Sequence, residues 1–566
     1  MRSSGRVTAF ETRSVVTDVL VIGGGVAALR AAIAAREAGA DVLVCCKGIA
    51  GRSGNTVVST ADISAYLPGQ GADDSADIFA QDTLDTGAGI GDEQLIRILA
   101  DHSGHAVLDL ERLGIRLLRA GGQIDRTRAA GHSRARTYRA DSEGLGPNKG
   151  LALSIPLADR ARTLGVDFLD RTPVIHLEAS DKQIVGAVAV AMESGVVLSI
   201  GASAVILGAG GAAHLFARTN GTADAAGDGI AIALRAGCLA RDLEFVQWHP
   251  TRMDAPVPLF LTNGLLADGA VLRDVAGREF MGDYDARGSL APRDVLAKAA
   301  YIEAASGRGI AGGVYLDCSA IPDDRIALRH AYLAETLQKH GVDFPREWLV
   351  VSPSTHFLMG GIAISPDASS SLSGLYAVGE SAGGIHGANR LGGNAFCEGL
   401  VFGTIAGQAS AAFARAATVA APPNEVGSGL RRHLNPAAPD VRDALRKLWQ
   451  RVRDTMWLNA SVVRDASGLT RAAADLEGLA AEAAALRCRS VSDAARILEL
   501  GAGLDCARAI VAAALVRKES RGAHWRRDFP DTSDAWLGSI SVAWPQGVPE
   551  PSLHFVPKII GALAGS

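Results

Sequence analysis

A short run of small residues between an apolar strand and an alanine-rich helix constrains this chain more than any other feature. Thr17-Asp-Val-Leu-Val-Ile22 reads as a buried strand, Gly23-Gly-Gly-Val-Ala-Ala28 as a turn and helix entry, and Asp41-Val-Leu-Val-Cys-Cys46 as the returning strand. In a β-α-β unit of about thirty residues each small residue has a task. Gly23 permits the tight turn, Gly25 lets a pyrophosphate approach the backbone, and Ala28 allows the helix to pack closely on the strand. Val26 and Ala27 open the helix, whose first amides point at the phosphates. A merely structural β-α turn is the competing reading, and the strand on each side favours a dinucleotide.

The loop that follows departs from the simple NAD rule. Where an acid would hold the ribose, the chain has Cys46-Lys47, then a loop containing Ser53, Gly54, Asn55 and Thr56. Further strand-to-glycine junctions recur downstream. Ala204-Val-Ile-Leu-Gly-Ala-Gly-Gly211 ends on Gly210 and Gly211, and Asp228 opens a helix between glycines. Glu380 follows the strand Gly374-Leu-Tyr-Ala-Val-Gly, and helix resumes at Gly392-Gly-Asn394-Ala395. These loops converge on one large ligand, which sharpens the dinucleotide to FAD. The expected fold is α/β: a Rossmann-like FAD-binding domain in two parts, 1–244 and 356–415, interrupted by an α+β capping domain, 245–355. A linker over 416–427 leads to a C-terminal helical domain and tail, 428–566, in which everything beyond Trp536 is unassigned.

Composition excludes several other classes. With 56 basic and 61 acidic side chains the net charge is -5, so nucleic acid meets no basic field. The first residues lack the apolar stretch of a signal peptide, and no segment has about 20 unbroken apolar residues, so a cytoplasmic protein without a transmembrane segment is expected. The seven cysteines form no C-x-x-C pair and no histidines have H-E-x-x-H spacing, so no metal site is expected.

Six separated stretches, in order, resemble the succinate dehydrogenase and fumarate reductase flavoprotein family, which includes L-aspartate oxidase. They are the glycine turn, Asp242–Thr251, Phe280–Asp294 ending in Leu-Ala-Pro-Arg-Asp, Thr355–Gly361, His386-Gly-Ala-Asn-Arg-Leu-Gly-Gly-Asn394 and Arg517-Lys-Glu-Ser-Arg-Gly-Ala-His524. His132-Ser-Arg and the Phe280–Asp294 stretch lean toward aspartate oxidase. The resemblance implies FAD, a small carboxylate substrate, and hydride transfer between that substrate and flavin N5. It implies His356 and Arg390 on one carboxylate, His249 and Thr262 on the other end with Gln247 nearby, and Arg293 as acid or base. The electron acceptor would be oxygen, fumarate, a quinone or an iron-sulfur subunit. An arginine so used needs a desolvated site with other cations nearby, because its ordinary pKa lies at about 12.5 to 13.8.

Two departures accompany the resemblance. The family has T-E-x-x-R-G-E-G, whose glutamate and arginine relay the proton, whereas this chain has Thr262-Asn-Gly-Leu-Leu-Ala-Asp-Gly269. Neither Asn263 nor Leu266 can carry a proton as those groups do, which leaves a changed substrate or a water route for the proton. The loop Arg52-Ser-Gly-Asn-Thr56 also lacks the histidine through which respiratory members attach FAD, so non-covalent FAD is expected. Two alternatives stay open: a fumarate reductase-like or succinate dehydrogenase-like subunit with altered substrate, and a non-catalytic FAD-binding protein.

Overall fold

A computed structural model describes residues 10–70, 73–129, 131–262, 264–417, 422, 427–545 and 547–558. Asn263 and most of the linker expected over 416–427 lie outside the described residues. The glycine turn joins strand Thr12–Ile22 (β1) to helix Val26–Glu37 (α1), and strand Val42–Cys45 (β2) follows. β1 lies between β2 and Val196–Leu207 and runs parallel to both. The sheet continues past β2 to Asp167–Leu169 and, on the other side, through the antiparallel strands Gln183–Ala191 and Val174–Ser180. Leu375–Ala377 also joins Val196–Leu207 in parallel, so a distant part of the chain returns to the first sheet. All of Val196–Leu207 is buried, as befits a continuous apolar strand at the centre of a covered sheet.

Helix α1 is clamped from outside by Asn394–Ala416. Gly399, Gly403 and Gly407 recur every four residues and so share one helix face. A Cβ on Gly403 would stand 2.9 Å from Ala27 O, and one on Gly407 2.4 Å from Ala31 O. The missing side chains let the two backbones touch, which presses the phosphate-facing end of α1 into place.

Between the two visits to the first sheet the chain builds a second one, in the order Leu259–Phe260, Val246–Met253, Leu349–Leu358, Val314–Asp317, Val271–Arg273, antiparallel throughout. It carries its own core of Met253, Leu272, Phe280, Leu296, Leu316 and Val351, so it is a separate packing unit, the cap. Leu266 belongs to that core and is only 4% exposed. An apolar side chain at this position turns into the cap interior, where an arginine would leave an unpaired charge.

Helices Arg442–Ala460, Ala466–Ala485 and Val491–Val516 form the C-terminal layer. Their starts carry side-chain caps where the sequence supplies them: Asp465 accepts from Gly468 N and Ser490 from Asp493 N. The unassigned tail forms two strands, Gly538–Ala543 and Ser552–Pro557, in a sheet with Ala240–Arg241, Gly361–Ala363 and Ala382–Gly383. In the first, buried and half-buried residues alternate, the two-residue period that Ser-Ile-Ser-Val already carried. Among the described residues, no helix is long and apolar enough to cross a membrane.

Candidate functional site

The first sheet, the cap and the loop after Gly379 enclose one cavity of about 680 Å³. Its wall on the sheet side includes Gly23, Gly25, Val26, Ala27, Lys47, Ser53, Gly54, Asn55, Thr56, Gly210, Asp228, Glu380 and Ala395. Gly23 has φ 123°, and a Cβ there would meet Gly208 O at 2.1 Å, so both conformation and space demand glycine. Gly25 precedes α1 and gives it no side-chain cap, and Val26 N makes only a long 3.3 Å bond to Thr56 Oγ1. The helix end is thus left to an anion, and the cradle fits a pyrophosphate.

Three expected cofactor residues stand just behind this wall. Ala28 supports Gly208, whose own Cβ would come within 2.9 Å of the Ala28 methyl. Gly211 backs Glu380, whose Oε1 would lie 2.3 Å from a Cβ at that glycine. Asn394 opens its helix and donates from Nδ2 to Thr83 Oγ1 at 3.1 Å, while its buried Oδ1 has no hydrogen-bond partner among the described residues. At the far end, Lys47 Nζ lies 2.9 Å from Asp228 Oδ1 and 2.7 Å from Glu499 Oε1. Burial works against the ammonium, but the two carboxylates outweigh it and raise its pKa.

Opposite the cradle, Thr262, Arg293, His356 and Arg390 line the same cavity. His356 lies on the long cap strand Leu349–Leu358, and Arg390 on the loop before Asn394–Ala416. Arg293 is the first residue of helix Arg293–Glu303. Burial pulls the Arg293 pKa down, opposed by Asp62, and its Nε has no hydrogen-bond partner among the described residues. Burial and the Arg293 charge bring Arg390 down to about 9, against the pull of Glu380 and Glu398.

His356 sits well below the ordinary histidine value because of burial first, then Arg390, Arg293 and His249. The Asn220 amide donates to His356 Nδ1 at 2.9 Å, so the neutral ring keeps its hydrogen on Nε2. The result is a neutral donor beside two cations, an arrangement suited to a carboxylate. Burial likewise raises Glu380 to about 7, although Leu358 N and Asn55 Nδ2 both donate to it.

Gln247 and His249 do not reach the cavity wall. Gln247 Oε1 accepts from Arg390 Nη2 at 3.0 Å, and its Nε2 donates to Asn389 Oδ1 at 2.7 Å and Arg390 O at 2.9 Å. These bonds brace Arg390 and its loop. The His249 ring is packed 4.2 Å from Phe260, and Phe260, which does line the cavity, stacks on His356 at 5.7 Å.

Sequence reading missed Asn220, which orients His356, and Asp62, which faces Arg293. It also missed Asn389, whose Nδ2 donates to Asp294 Oδ1 at 3.2 Å and so ties the loop of Arg390 to the helix of Arg293. Asn389 was within reach, since it is the asparagine of the quoted Gly-Ala-Asn-Arg stretch. His132, noted only as a motif, is buried with Nε2 2.7 Å from Gly392 O, and therefore braces the loop beside Arg390.

Most of the chain is similar to known proteins. The FAD binding domain family matches residues 18–396, and the fumarate reductase flavoprotein C-terminal family matches 449–562. One subunit of the CoM/CoB fumarate reductase of Methanothermobacter marburgensis is 34% identical over 544 residues, covering 92% of this chain and 96% of that protein. The L-aspartate oxidase of Caulobacter vibrioides is 36% identical over 524 residues, covering 91% and 93%. Among solved structures, E. coli quinol fumarate reductase superposes with a TM-score of 0.88 at 25% identity, covering 97% of this chain and 98% of that one.

Proposed function

Because the chain belongs to the FAD-dependent flavoprotein family of fumarate reductase, succinate dehydrogenase and L-aspartate oxidase, we propose that it oxidises a small carboxylate by hydride transfer from substrate to flavin N5, in the manner of L-aspartate oxidase. The observation that carries this reading is the convergence of Arg293, His356 and Arg390 on one side of a cavity whose other side is a dinucleotide cradle.

Bound FAD supplies the hydride acceptor. The residues do the rest. Arg390 and the Nε2–H of neutral His356 hold a substrate carboxylate, with Gln247 and Asn220 fixing their orientation. Thr262 meets the other end. Arg293, its charged form made costly by burial, accepts a proton from the substrate atom adjacent to the carbon that gives up hydride. Asp62 acts against burial and stabilises the charged guanidinium that forms when the proton arrives.

Asn55 stands in the loop where respiratory members carry the attaching histidine, so FAD is held non-covalently and acid precipitation releases it from the protein; flavin retained in the pellet would contradict this. We place the enzyme in the cytoplasm. Its likeness to a fumarate reductase subunit supports a second reading, in which electrons pass on to an iron-sulfur partner, and copurification with such a protein would favour it.

The test of the main reading is anaerobic mixing of the holoenzyme with L-aspartate, succinate and other small carboxylates while the visible flavin absorption is followed. Bleaching by a member of this panel is the expected result. Absence of any response, to these acids or in reverse to fumarate with reduced enzyme, would overturn the reading.

A further inference from the structure

A second polar cluster reaches the cavity from the cap, apart from His356, Arg390 and Arg293. His330 joins the helices Asp323–Arg329 and Ala331–Lys339 and is only 8% exposed. Its Nε2 lies 2.8 Å from Asp268 Oδ2, and the other Asp268 oxygen accepts from Arg329 Nη1 at 2.6 Å. A carboxylate so engaged only accepts, so Nε2 carries a hydrogen toward Asp268 and orients the ring, and an anion at Nδ1 is bound with that nitrogen protonated too, the imidazolium shared between Asp268 and the anion. The opposite nitrogen, Nδ1, has no hydrogen-bond partner among the described residues.

His330 and Arg329 line the same cavity as Thr262, and Gly264 and Ala267 form the wall between them. A Cβ on Gly264 would stand 3.2 Å from Thr262 Oγ1 and 3.7 Å from His330 Cε1. The Thr262 hydroxyl and the His330 imidazole therefore lie on either side of Gly264, close enough for one ligand to meet both. Leu266 turns away into the cap core, so it places nothing polar there. Arg325, 3.9 Å from Asp268, adds to Arg329, so a single carboxylate faces two guanidiniums and an oriented imidazole. Such a lip favours an anionic group.

We propose that His330, oriented by Asp268, is a specificity-determining residue that binds a further carboxylate arm of the substrate, beyond the group held by Thr262. The substrate class becomes an acid with an additional anionic arm, branched or longer than succinate. This rests on the carboxylate reading above and narrows it.

Titration of the flavin spectrum of the holoenzyme with tricarballylate and with succinate tests it. Wild-type protein should bind tricarballylate about tenfold more tightly, the scale of one charge-assisted hydrogen bond. His330→Phe, which keeps the ring and loses the polar atoms, should bring the two affinities to within about twofold while succinate binding stays unchanged. Asp268→Asn should shift the ratio in the same direction, and His330→Gln should keep part of the preference. Should His330→Phe lose its flavin, the other two variants decide on the same ratio. An unchanged ratio, or an equal loss for both ligands, overturns the proposal. Binding of succinate without preference for tricarballylate in the wild type defeats this inference alone, whereas silence toward every carboxylate defeats the reading it rests on.

Discussion

Arg390 is the residue whose environment most directly sets how the site responds to pH. Burial and Arg293 lower its pKa to about 9, while Glu380 and Glu398 limit the fall. The guanidinium is charged below that value and is lost as pH rises through it. Carboxylate binding is therefore expected to be flat through neutrality and to weaken by about tenfold per unit above roughly pH 9, as the cation disappears. A binding titration between pH 7 and 10.5 checks this, and affinity independent of pH across that range would count against Arg390 as a carboxylate ligand. His356 adds no step near neutrality, because burial and three neighbouring basic groups already keep it neutral. Much at this scale was legible in the sequence. His356, Arg390, Arg293 and Thr262 were expected in the site and all four line the cavity. What short-range pattern could not supply was which residue holds which: Asn220 precedes His356 by 136 positions, and Glu499 follows Lys47 by 452. Gln247 was expected near substrate, and its three bonds to Asn389 and Arg390, invisible to local pattern, tie it to the loop that carries Arg390.

Elements were legible wherever their period and their boundaries are local. The strand, turn and helix around Gly23 needed no distant information, and the buried run Val196–Leu207 announced itself as a continuous apolar strand. The tail strand Gly538–Ala543 was not recognised because six alternating residues are too few to stand out without the sheet partners Ala240–Arg241 and Ser552–Pro557. Close contact between α1 and Asn394–Ala416 was equally hidden, since its glycines read alone as weak helix positions. Their purpose is spatial. Gly407→Val would drive two methyl groups into the space where even a Cβ meets Ala31 O at 2.4 Å. We expect a loss of about 1–3 kcal/mol and a lower Tm by thermal denaturation, together with weaker FAD retention. A variant as stable as wild type would mean that the two helices separate without cost.

At the scale of the whole molecule, the Arg517–His524 stretch proves to be a joint. Arg517 Nε donates to Glu244 Oε1 at 2.7 Å, linking the end of the long C-terminal helix to the segment entering the cap. Arg521 Nε donates to Glu519 Oε1 at 2.9 Å, and Arg464 Nη1 lies 2.7 Å from His524 Nδ1. Arg517, Glu244, Glu519 and His524 are all without solvent exposure. Removing one partner from such a network leaves an uncompensated buried charge. Arg517→Met should therefore cost about 3–5 kcal/mol in denaturant unfolding, and a cost below about 1 kcal/mol would show the joint to be incidental. The sequence displayed this motif as a mark of resemblance but not its task, because its partner Glu244 lies 273 residues away.

The central claim is that Arg293 moves the proton while hydride leaves a carboxylate for flavin. The most direct measurement is the anaerobic rate of flavin bleaching by the most effective carboxylate of the panel, in wild type and in an Arg293→Ala variant that retains FAD. The account predicts bleaching in the wild type and a rate lower by about 10²–10⁴-fold in the variant, with carboxylate still bound through His356 and Arg390. Equal rates in the two proteins would contradict it.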